Sequence, residues 1–228
     1  QAICDVGDEV IIPAPYWLSY PAMVNLAEAT PIFVNTSMDN GFKLTEEGLE
    51  RAISKKTKCI ILNSPSNPTG GVYDATDLAM VARVAIKHNI LVISDEIYEK
   101  LVYDGKRHRS IAALGKEIRD LTITVNGVSK SYAMTGWRIG YAAGPSDIMK
   151  AISNLQSHAT SNPASISQKA TLTALTNEQA FIDDMKNQYQ KRRDYMVSRV
   201  NMMKNVSCFK PGGAFYLFCN IIKTGKSS

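Results

Sequence analysis

The order of hydrophobic and polar positions along the chain predicts alternating strands and helices. Short apolar runs rich in β-branched residues are typical of buried strands and occupy 8–13, 31–35, 58–63, 91–95, 121–126 and 137–144. Between the first four of these runs the spacing of apolar residues becomes helical, which predicts helices over 19–29, 45–53 and 77–89. Thr45 is the expected N-cap of the second helix, because two glutamates follow it in the first turn.

The last third of the chain has a helical pattern. It predicts helices over 146–157, 163–176 and 178–204, followed by a hairpin that turns at the Pro-Gly-Gly of 211–213. Strands that alternate with helices favour an α/β fold, with three α/β/α layers around a mostly parallel sheet. In such sheets ligands bind beyond the carboxyl ends of the strands. The residues that follow each strand are therefore the candidates for a functional site.

Polar residues follow three successive predicted strands. Asn67 lies in the Pro- and Gly-rich segment after 58–63, and Asp95 ends the next strand with Tyr98 three positions later. Lys130 follows 121–126, and Arg138 begins the last strand. Each has an ordinary structural explanation by itself: a rigid turn, a helix cap or a surface lysine.

Together, these side chains match the needs of pyridoxal phosphate. A lysine forms a Schiff base with its aldehyde, a carboxylate pairs with its pyridinium nitrogen, and an arginine binds its phosphate. The window 126–141 holds Lys130 and Arg138 but no acidic residue. The combination is far more specific than any one member.

Four ordered segments carry a resemblance to a known family. They read PAPYWLSYPAM at 13–23, SPSNPTGGVY at 64–73, SDEIYEKLVYDG at 94–105 and GVSKSYAMTGWRIG at 127–140. The chain resembles the class I aminotransferases of fold type I, in particular the subgroup that includes bacterial aspartate aminotransferases. The resemblance covers nearly the whole chain and implies the fold of a PLP-dependent transferase large domain.

The resemblance implies a role for each candidate in catalysis. Lys130 would carry the Schiff base and then move the proton between the substrate α-carbon and the cofactor. Asp95 would keep the pyridine nitrogen protonated. Tyr98 and Asn67 would donate hydrogen bonds to the ring hydroxyl.

The resemblance also implies contacts that bind the cofactor. Arg138 would bind its phosphate, and Trp17 would stack on its ring, with Tyr16 as the alternative. Many relatives have serine three positions before the lysine as a phosphate ligand. This chain has Gly127 there, so Ser129 is the candidate substitute, unless the contact is lost.

The ends of the chain suggest a piece of a longer protein. The chain begins at Gln1 without methionine and stops soon after an apolar run. We expect 1–205 to be the cofactor-binding large domain, truncated at its N-terminal side, and 206–228 to begin a small domain. The family's upstream phosphate loop and the arginine that binds the substrate carboxylate would lie outside. The chain alone is then expected to be inactive, and the whole protein to be a homodimer.

Composition excludes several other classes. The net charge of +5 is small and dispersed, so a nucleic-acid surface is not expected. No apolar run is long enough to span a membrane. Four scattered cysteines indicate free thiols in a reducing cytoplasm, and three histidines without metal-binding spacing predict no metal site. His108 and His158 are expected at the surface.

The predicted activity is an aminotransferase that exchanges an amino group between an amino acid, aspartate-like by preference, and a 2-oxo acid. One alternative is a carbon–sulfur lyase on the same fold, because a protonated pyridine ring supports elimination as well. Another is the cofactor-sensing domain of a transcription regulator. A helix-turn-helix segment before Gln1 would favour the regulator.

Overall fold

Six strands form one sheet in the computed structural model, which describes residues 1–226. In chain order they are β1 (Glu9–Ala14), β2 (Thr30–Asn35), β3 (Thr57–Asn63), β4 (Leu91–Asp95), β5 (Thr122–Gly127) and β6 (Gly140–Ala143). The spatial order is β2-β1-β3-β4-β5-β6. All neighbours are parallel except β5 and β6. The predicted mostly parallel sheet is confirmed.

Eight helices accompany the strands in the described part of the chain. They are α1 (Ser19–Leu26), α2 (Glu46–Ala52), α3 (Ala75–His88), α4 (Lys116–Arg119), α5 (Val128–Ser131), α6 (Ser146–Ala159), α7 (Ser165–Thr176) and α8 (Ala180–Asn201). The short helices α4 and α5 are not evident in the sequence pattern. Over residues 1–226, no helix combines the length and the apolar character that a membrane crossing needs.

Alternating side chains of the central strands build a hydrophobic core on each face of the sheet. Ile11 and Ile60 pack with residues of α2 and α3 on one face. Val10 and Cys59 pack with residues of α1 on the other. Side chains alternate between faces along a strand, so continuous apolar runs such as 58–63 supply both cores. Helices on both faces confirm the predicted α/β/α layers.

Side-chain capping sets the start of two helices, α2 and α3. The hydroxyl of Thr45 accepts a hydrogen bond from Gly48 N at 3.1 Å, as expected for the N-cap of α2. The helix α3 begins two residues before the predicted start, because Asp74 and Asp77 form a capping box.

The predicted closing hairpin is confirmed in its antiparallel pairing but is wrong in its turn and in the length of its strands. Its strands β7 (Ser207–Cys208) and β8 (Cys219–Asn220) have only two residues each, and the Pro-Gly-Gly segment is not a tight turn between them. Instead, the amides of Gly212 and Gly213 donate to Gly70 O at 2.9 and 3.0 Å. Side-chain periodicity could not predict this packing, since backbone groups make the contacts.

Arg193 holds this segment against α8. Its guanidinium is almost completely buried and donates to both carboxylate oxygens of Asp104, at 2.7 and 2.8 Å. It also donates to Pro211 O at 2.8 Å. Ala214 N then donates to Leu101 O at 2.9 Å, which brings the following residues toward the carboxyl ends of the parallel strands.

Candidate active site

A cavity of about 500 Å³ opens at the carboxyl ends of β3, β4 and β5. The strand register places Asn63 beside Asp95, and Asp95 beside Val125. All of the predicted site residues line this cavity, namely Trp17, Asn67, Asp95, Tyr98, Ser129, Lys130 and Arg138. The structure therefore brings together residues that are more than a hundred positions apart in the sequence.

Lys130 enters the cavity from the turn after β5. The strand ends at Gly127 and runs directly into α5, which carries Lys130. The Nζ atom lies 5.9 Å from the centroid of the Phe215 ring. No ion pair among residues 1–226 includes Lys130, Arg138 or Asp95. The cavity thus holds two cations and one carboxylate that are not neutralised by one another.

Asp95 is a largely buried carboxylate held in a fixed orientation. Its Oδ2 accepts from the Tyr20 hydroxyl at 2.6 Å and its Oδ1 from Ile97 N at 3.2 Å. Burial raises the pKa of Asp95, although the hydrogen bonds from Tyr20 and Ile97 act in the opposite direction. A carboxylate in this state favours a cationic partner inside the cavity.

Tyr20 is a site residue that the sequence did not reveal. It lies in α1, three positions after Trp17, where a tyrosine is equally consistent with core packing. Burial, together with the charge of Asp95, raises its pKa. The phenol therefore keeps its proton and acts as a hydrogen-bond donor to Asp95.

Tyr98 and Asn67 both line the cavity. Burial raises the pKa of Tyr98. Asn67 N donates to Asn63 Oδ1 at 2.7 Å, while Asn63 Nδ2 donates to Asp95 O at 3.0 Å. Adjacent strand ends are thereby tied together behind the cavity.

Tyr216 is the second residue that sequence reasoning missed. Its hydroxyl lies 2.6 Å from the hydroxyl of Tyr98, and it lines the cavity. It reaches the site because 211–214 packs on the body of the protein rather than forming a hairpin turn. No signal in the local sequence indicated this packing.

Arg138 lines the cavity as predicted, but it does not begin the last strand. It precedes β6 by two residues rather than opening the strand, and its φ of 56° is left-handed. Its Nη1 donates to Thr135 O at 2.8 Å, and the side chain is exposed. The remaining guanidinium donors have the planar geometry that binds a phosphate.

Trp17, rather than Tyr16, faces the cavity. The Trp17 ring is 40% exposed and meets Tyr20 edge-on at a centroid distance of 5.4 Å. The Tyr16 ring instead stacks on Phe33 at 5.0 Å. The geometry favours Trp17 as the aromatic residue available to a planar ligand.

Glu96 and His108 form a separate, structural network. Glu96 is buried and accepts hydrogen bonds from Ser94 at 2.8 Å and Ser110 at 2.7 Å, and His108 Nε2 lies 2.9 Å from it. The expectation that His108 is a surface residue is wrong, because only 11% of its side chain is exposed. His158 is exposed as expected. Neighbouring acids thus differ in function: Asp95 faces the cavity and Glu96 holds the following loop.

Gly127 is required by close packing rather than by backbone strain. A Cβ atom there would lie 2.8 Å from Ile139 O and 3.1 Å from Gly140 Cα, which belong to the adjoining segment and strand β6. A serine side chain therefore has no room at this position in this chain. Ser129, which lines the cavity, is the available hydroxyl.

We expect Gly127→Ser to destabilise the fold by about 1–3 kcal/mol, the usual range for overpacking. Urea unfolding followed by circular dichroism measures the effect. Gly136→Ser is the matched control, because a Cβ at Gly136 meets nothing within 4 Å. Equal stability of the Gly127 variant and the control would show that the strand accommodates the side chain.

Comparison with known proteins identifies the family. The sequence profile of the family Aminotransferase class I and II matches residues 1–224. The chain belongs to the class I and II aminotransferases. Its resemblance to this family is thereby confirmed.

Individual aminotransferases match nearly all of this chain. It is 50% identical over 220 residues to the aspartate aminotransferase of Geobacillus stearothermophilus, covering 96% of this chain and 56% of that protein. The aspartate/prephenate aminotransferase of Cereibacter sphaeroides is also 50% identical, with 96% and 55% covered. The crystal structure of the aspartate aminotransferase from Rhizobium meliloti superposes with a TM-score of 0.95 at 46% identity, with 96% and 55% covered. The chain thus spans about half the length of these aminotransferases.

Proposed function

We propose that the protein containing this chain is a pyridoxal-phosphate-dependent aminotransferase that exchanges an amino group between an aspartate-like amino acid and a 2-oxo acid. The observation that carries the proposal is the meeting of Lys130, Asp95 and Arg138 in one cavity at the carboxyl ends of the parallel strands. Family membership and the names of the relatives support the reaction and the preference for aspartate.

The cavity suits pyridoxal phosphate chemically. Asp95 is a largely buried carboxylate that lacks a cationic partner among residues 1–226, and it complements a pyridinium nitrogen. Lys130 complements an aldehyde and Arg138 a phosphate. When bound, pyridoxal phosphate supplies a conjugated ring that accepts the electrons left on the substrate α-carbon.

Proton transfer at the substrate α-carbon is assigned to Lys130. Its amine would hold the cofactor through the aldehyde and, when free, would serve as a base inside the cavity. Asp95 holds a proton at the pyridine nitrogen, and Tyr20 fixes the orientation of that carboxylate through its 2.6 Å hydrogen bond. Positioning and charge are therefore both supplied by residues of this chain.

The other cavity residues orient the ring. Tyr98 and Asn67 would donate hydrogen bonds to its hydroxyl group, and the Tyr216 hydroxyl, 2.6 Å from that of Tyr98, would orient the Tyr98 phenol. Trp17 offers an aromatic face for stacking. Ser129 is proposed as the hydroxyl ligand of the phosphate beside Arg138.

The substrate needs a further cation for its α-carboxylate. Among the residues described, Lys130 and Arg138 are the cations that line the cavity, and both are assigned to the cofactor. We therefore propose that the missing cation comes from a small domain that begins at 206–228, or from a second subunit of a homodimer. In this proposal 1–205 forms the cofactor-binding domain of a cytoplasmic enzyme, and the chain alone does not turn over substrate.

Product analysis of the whole protein tests the proposed reaction. Incubation with pyridoxal phosphate, aspartate and 2-oxoglutarate is expected to yield oxaloacetate and glutamate in equal amounts, measured by chromatography with mass detection. The Lys130→Ala variant serves as the matched inactive control. No glutamate from this mixture, together with pyruvate and ammonia from a separate incubation with cysteine, would contradict the transaminase assignment and favour a carbon–sulfur lyase. Cofactor binding without any turnover would favour the sensor domain of a regulator.

A further inference from the structure

Arg193 is a buried arginine of α8 that binds several separate parts of the chain. Its Nη1 donates to Asp104 Oδ2 and to Pro211 O, both at 2.8 Å, and its Nη2 donates to Asp104 Oδ1 at 2.7 Å. Its Nε donates to Asp194 Oδ1 at 3.0 Å, and its Cζ lies 4.8 Å from the centroid of the Tyr103 ring. A planar fork that meets a carboxylate and a carbonyl together fixes their relative positions. Arg193 therefore fixes Pro211 relative to Tyr103 and Asp104.

The segment that Arg193 fixes, residues 211–216, continues into the cavity, which Tyr216 lines. Within this segment, Ala214 is completely buried and has a φ of 55°, which is left-handed. A residue with a side chain keeps this conformation only where the surrounding contacts impose it. One such contact is the hydrogen bond that the Tyr103 hydroxyl donates to Ala214 O. Because the same Tyr103 ring lies against Arg193, the arginine acts on the segment both directly and through Tyr103.

The last two residues of the segment contact the candidate catalytic side chains. The Tyr216 hydroxyl lies 2.6 Å from that of Tyr98. The centroid of the Phe215 ring lies 5.9 Å from Lys130 Nζ, and this ring meets the Tyr98 ring edge-on at 5.4 Å. A displacement of the segment would therefore change the surroundings of both the phenol and the lysine amine.

Further contacts of α8 support the same arrangement. Tyr189 lies four positions before Arg193, on the same face of the helix. Its ring stacks on that of Phe215 at a centroid distance of 5.4 Å. Gln190 of α8 also accepts a hydrogen bond from Asp104 N at 3.0 Å. Within residues 1–226, α8 supplies no side chain to the lining of the cavity, so these contacts reach the cavity through the segment.

We propose that Arg193 is a positioning residue of the candidate active site, which acts through this segment. It keeps the Tyr216 hydroxyl against Tyr98, and this contact limits the directions in which the Tyr98 phenol can donate. It also keeps the Phe215 ring beside Lys130, where the ring confines the amine. Such positioning matters for catalysis, because a displacement of about 1 Å can cost about 10²-fold in rate. This role rests on the proposed function, in which Tyr98 and Lys130 act on the cofactor.

Arg193→Lys is the variant that tests this role. Lysine keeps the positive charge beside Asp104, but it lacks the planar fork that reaches the carboxylate and Pro211 O together. Asp104→Asn is a second variant, which weakens the same contact from a side chain that is already partly exposed. Arg83→Lys is the matched control, because Arg83 Nη2 donates to Glu46 Oε2 at 2.7 Å in an exposed pair.

Hydrogen–deuterium exchange of the whole protein without cofactor, followed by mass spectrometry, measures the hold on the segment. We expect the peptide that contains 211–216 to exchange about 10-fold faster in Arg193→Lys, since hydrogen bonds to a charged group are lost. Asp104→Asn should accelerate exchange in the same peptide. Peptides of β3 and β4 should be unchanged in both variants, and Arg83→Lys should change none of these peptides. An unchanged rate at 211–216 in both Arg193→Lys and Asp104→Asn would overturn the proposal.

Two measurements on the whole protein loaded with pyridoxal phosphate test the effect on the site. Arg193→Lys should change the visible circular dichroism of the bound cofactor, which depends on the orientation of its ring, whereas Arg83→Lys should not. Arg193→Lys should also lower kcat/KM for aspartate by about 10-fold or more. Added to the Phe215→Leu/Tyr216→Phe variant, the same substitution should lower kcat/KM by no more than about 2-fold, because the side chains that it acts through have been replaced.

Either of two results with the loaded protein would contradict this role. One is an equal loss of kcat/KM in the two backgrounds, which would mean that Arg193 acts independently of Phe215 and Tyr216. The other is an unchanged circular dichroism in Arg193→Lys. A wild-type protein that lacked transaminase activity would instead contradict the proposed function, while the exchange rates, measured without cofactor, would still decide whether Arg193 holds the segment.

Discussion

Replacing Lys130 with alanine is expected to abolish covalent attachment of pyridoxal phosphate and to lower turnover by a factor of about 10⁴ or more. Alanine offers no amine to the cofactor aldehyde and no base at the substrate α-carbon, and a positioned base alone contributes about 10²–10⁴-fold. Borohydride reduction of the whole protein followed by peptide mapping measures the attachment. Steady-state kinetics with aspartate and 2-oxoglutarate measures the turnover.

Lys55→Ala is the matched control for this experiment. Lys55 is exposed and lies two residues before β3, at the end of the sheet opposite to the cavity. We expect the control variant to retain both the borohydride-stable label and full turnover. If the Lys130 variant kept the same label, another lysine would hold the cofactor, and the assignment of the site would be wrong.

The strand ends explain why so much of the candidate site could be predicted from the sequence. In a parallel sheet the carboxyl ends of neighbouring strands meet at one edge, so Asp95 and Lys130 had to approach one another once their strands were identified. The strands themselves were evident because buried runs such as 58–63 have a continuous apolar pattern. Periodicity thus located the candidate residues at the strand ends without any contact information, whereas Trp17 and Ser129 came from the family resemblance.

The features that were missed depend on contacts that a periodic pattern does not encode. Tyr216 reaches Tyr98 because backbone amides at 212–213 donate to Gly70, and a hydrogen bond between main-chain groups leaves no side-chain signature. His108 is largely buried because it pairs with Glu96, although Lys106, Arg107 and Arg109 beside it are exposed. In both cases a tertiary contact overrides the local preference.

The second major prediction concerns Asp95, the carboxylate that we propose pairs with the pyridinium nitrogen. Replacing Asp95 with asparagine should lower turnover by about 10²–10³-fold, as is typical when one preorganised electrostatic contact is removed. A neutral amide cannot hold the proton of a pyridinium nitrogen, yet it preserves the size of the side chain and can still accept the hydrogen bond from Tyr20. Kinetics of the whole protein, saturated with pyridoxal phosphate, measure this loss. Unchanged turnover would contradict the assigned role.

The same substitution should stabilise the cofactor-free protein at neutral pH. Burial raises the pKa of Asp95 in the folded state above its ordinary value of 3.8, so the folded protein binds this proton more tightly than the unfolded chain does. The contribution of the Asp95 carboxyl to the free energy of unfolding is therefore fully present below pH 3.8, and it is lost as the pH rises through the pKa of the folded state. Asparagine does not ionise, so the free energy of unfolding of the variant does not fall in this pH range for that reason. We expect the Asp95→Asn variant to exceed the wild type in free energy of unfolding at pH 7.

Urea unfolding of the cofactor-free protein between pH 4 and pH 7 can separate this effect from a general gain in packing. The advantage of Asp95→Asn should shrink as the pH falls, because the wild-type carboxyl then becomes neutral in both states. Asp184→Asn, which changes an exposed carboxylate on α8, is the matched control and should show no comparable advantage. Pyridoxal phosphate should then stabilise the wild type more than the variant, since a cation bound beside Asp95 offsets the cost of its burial. A stability difference that is independent of pH would mean that charge burial at Asp95 is not its cause.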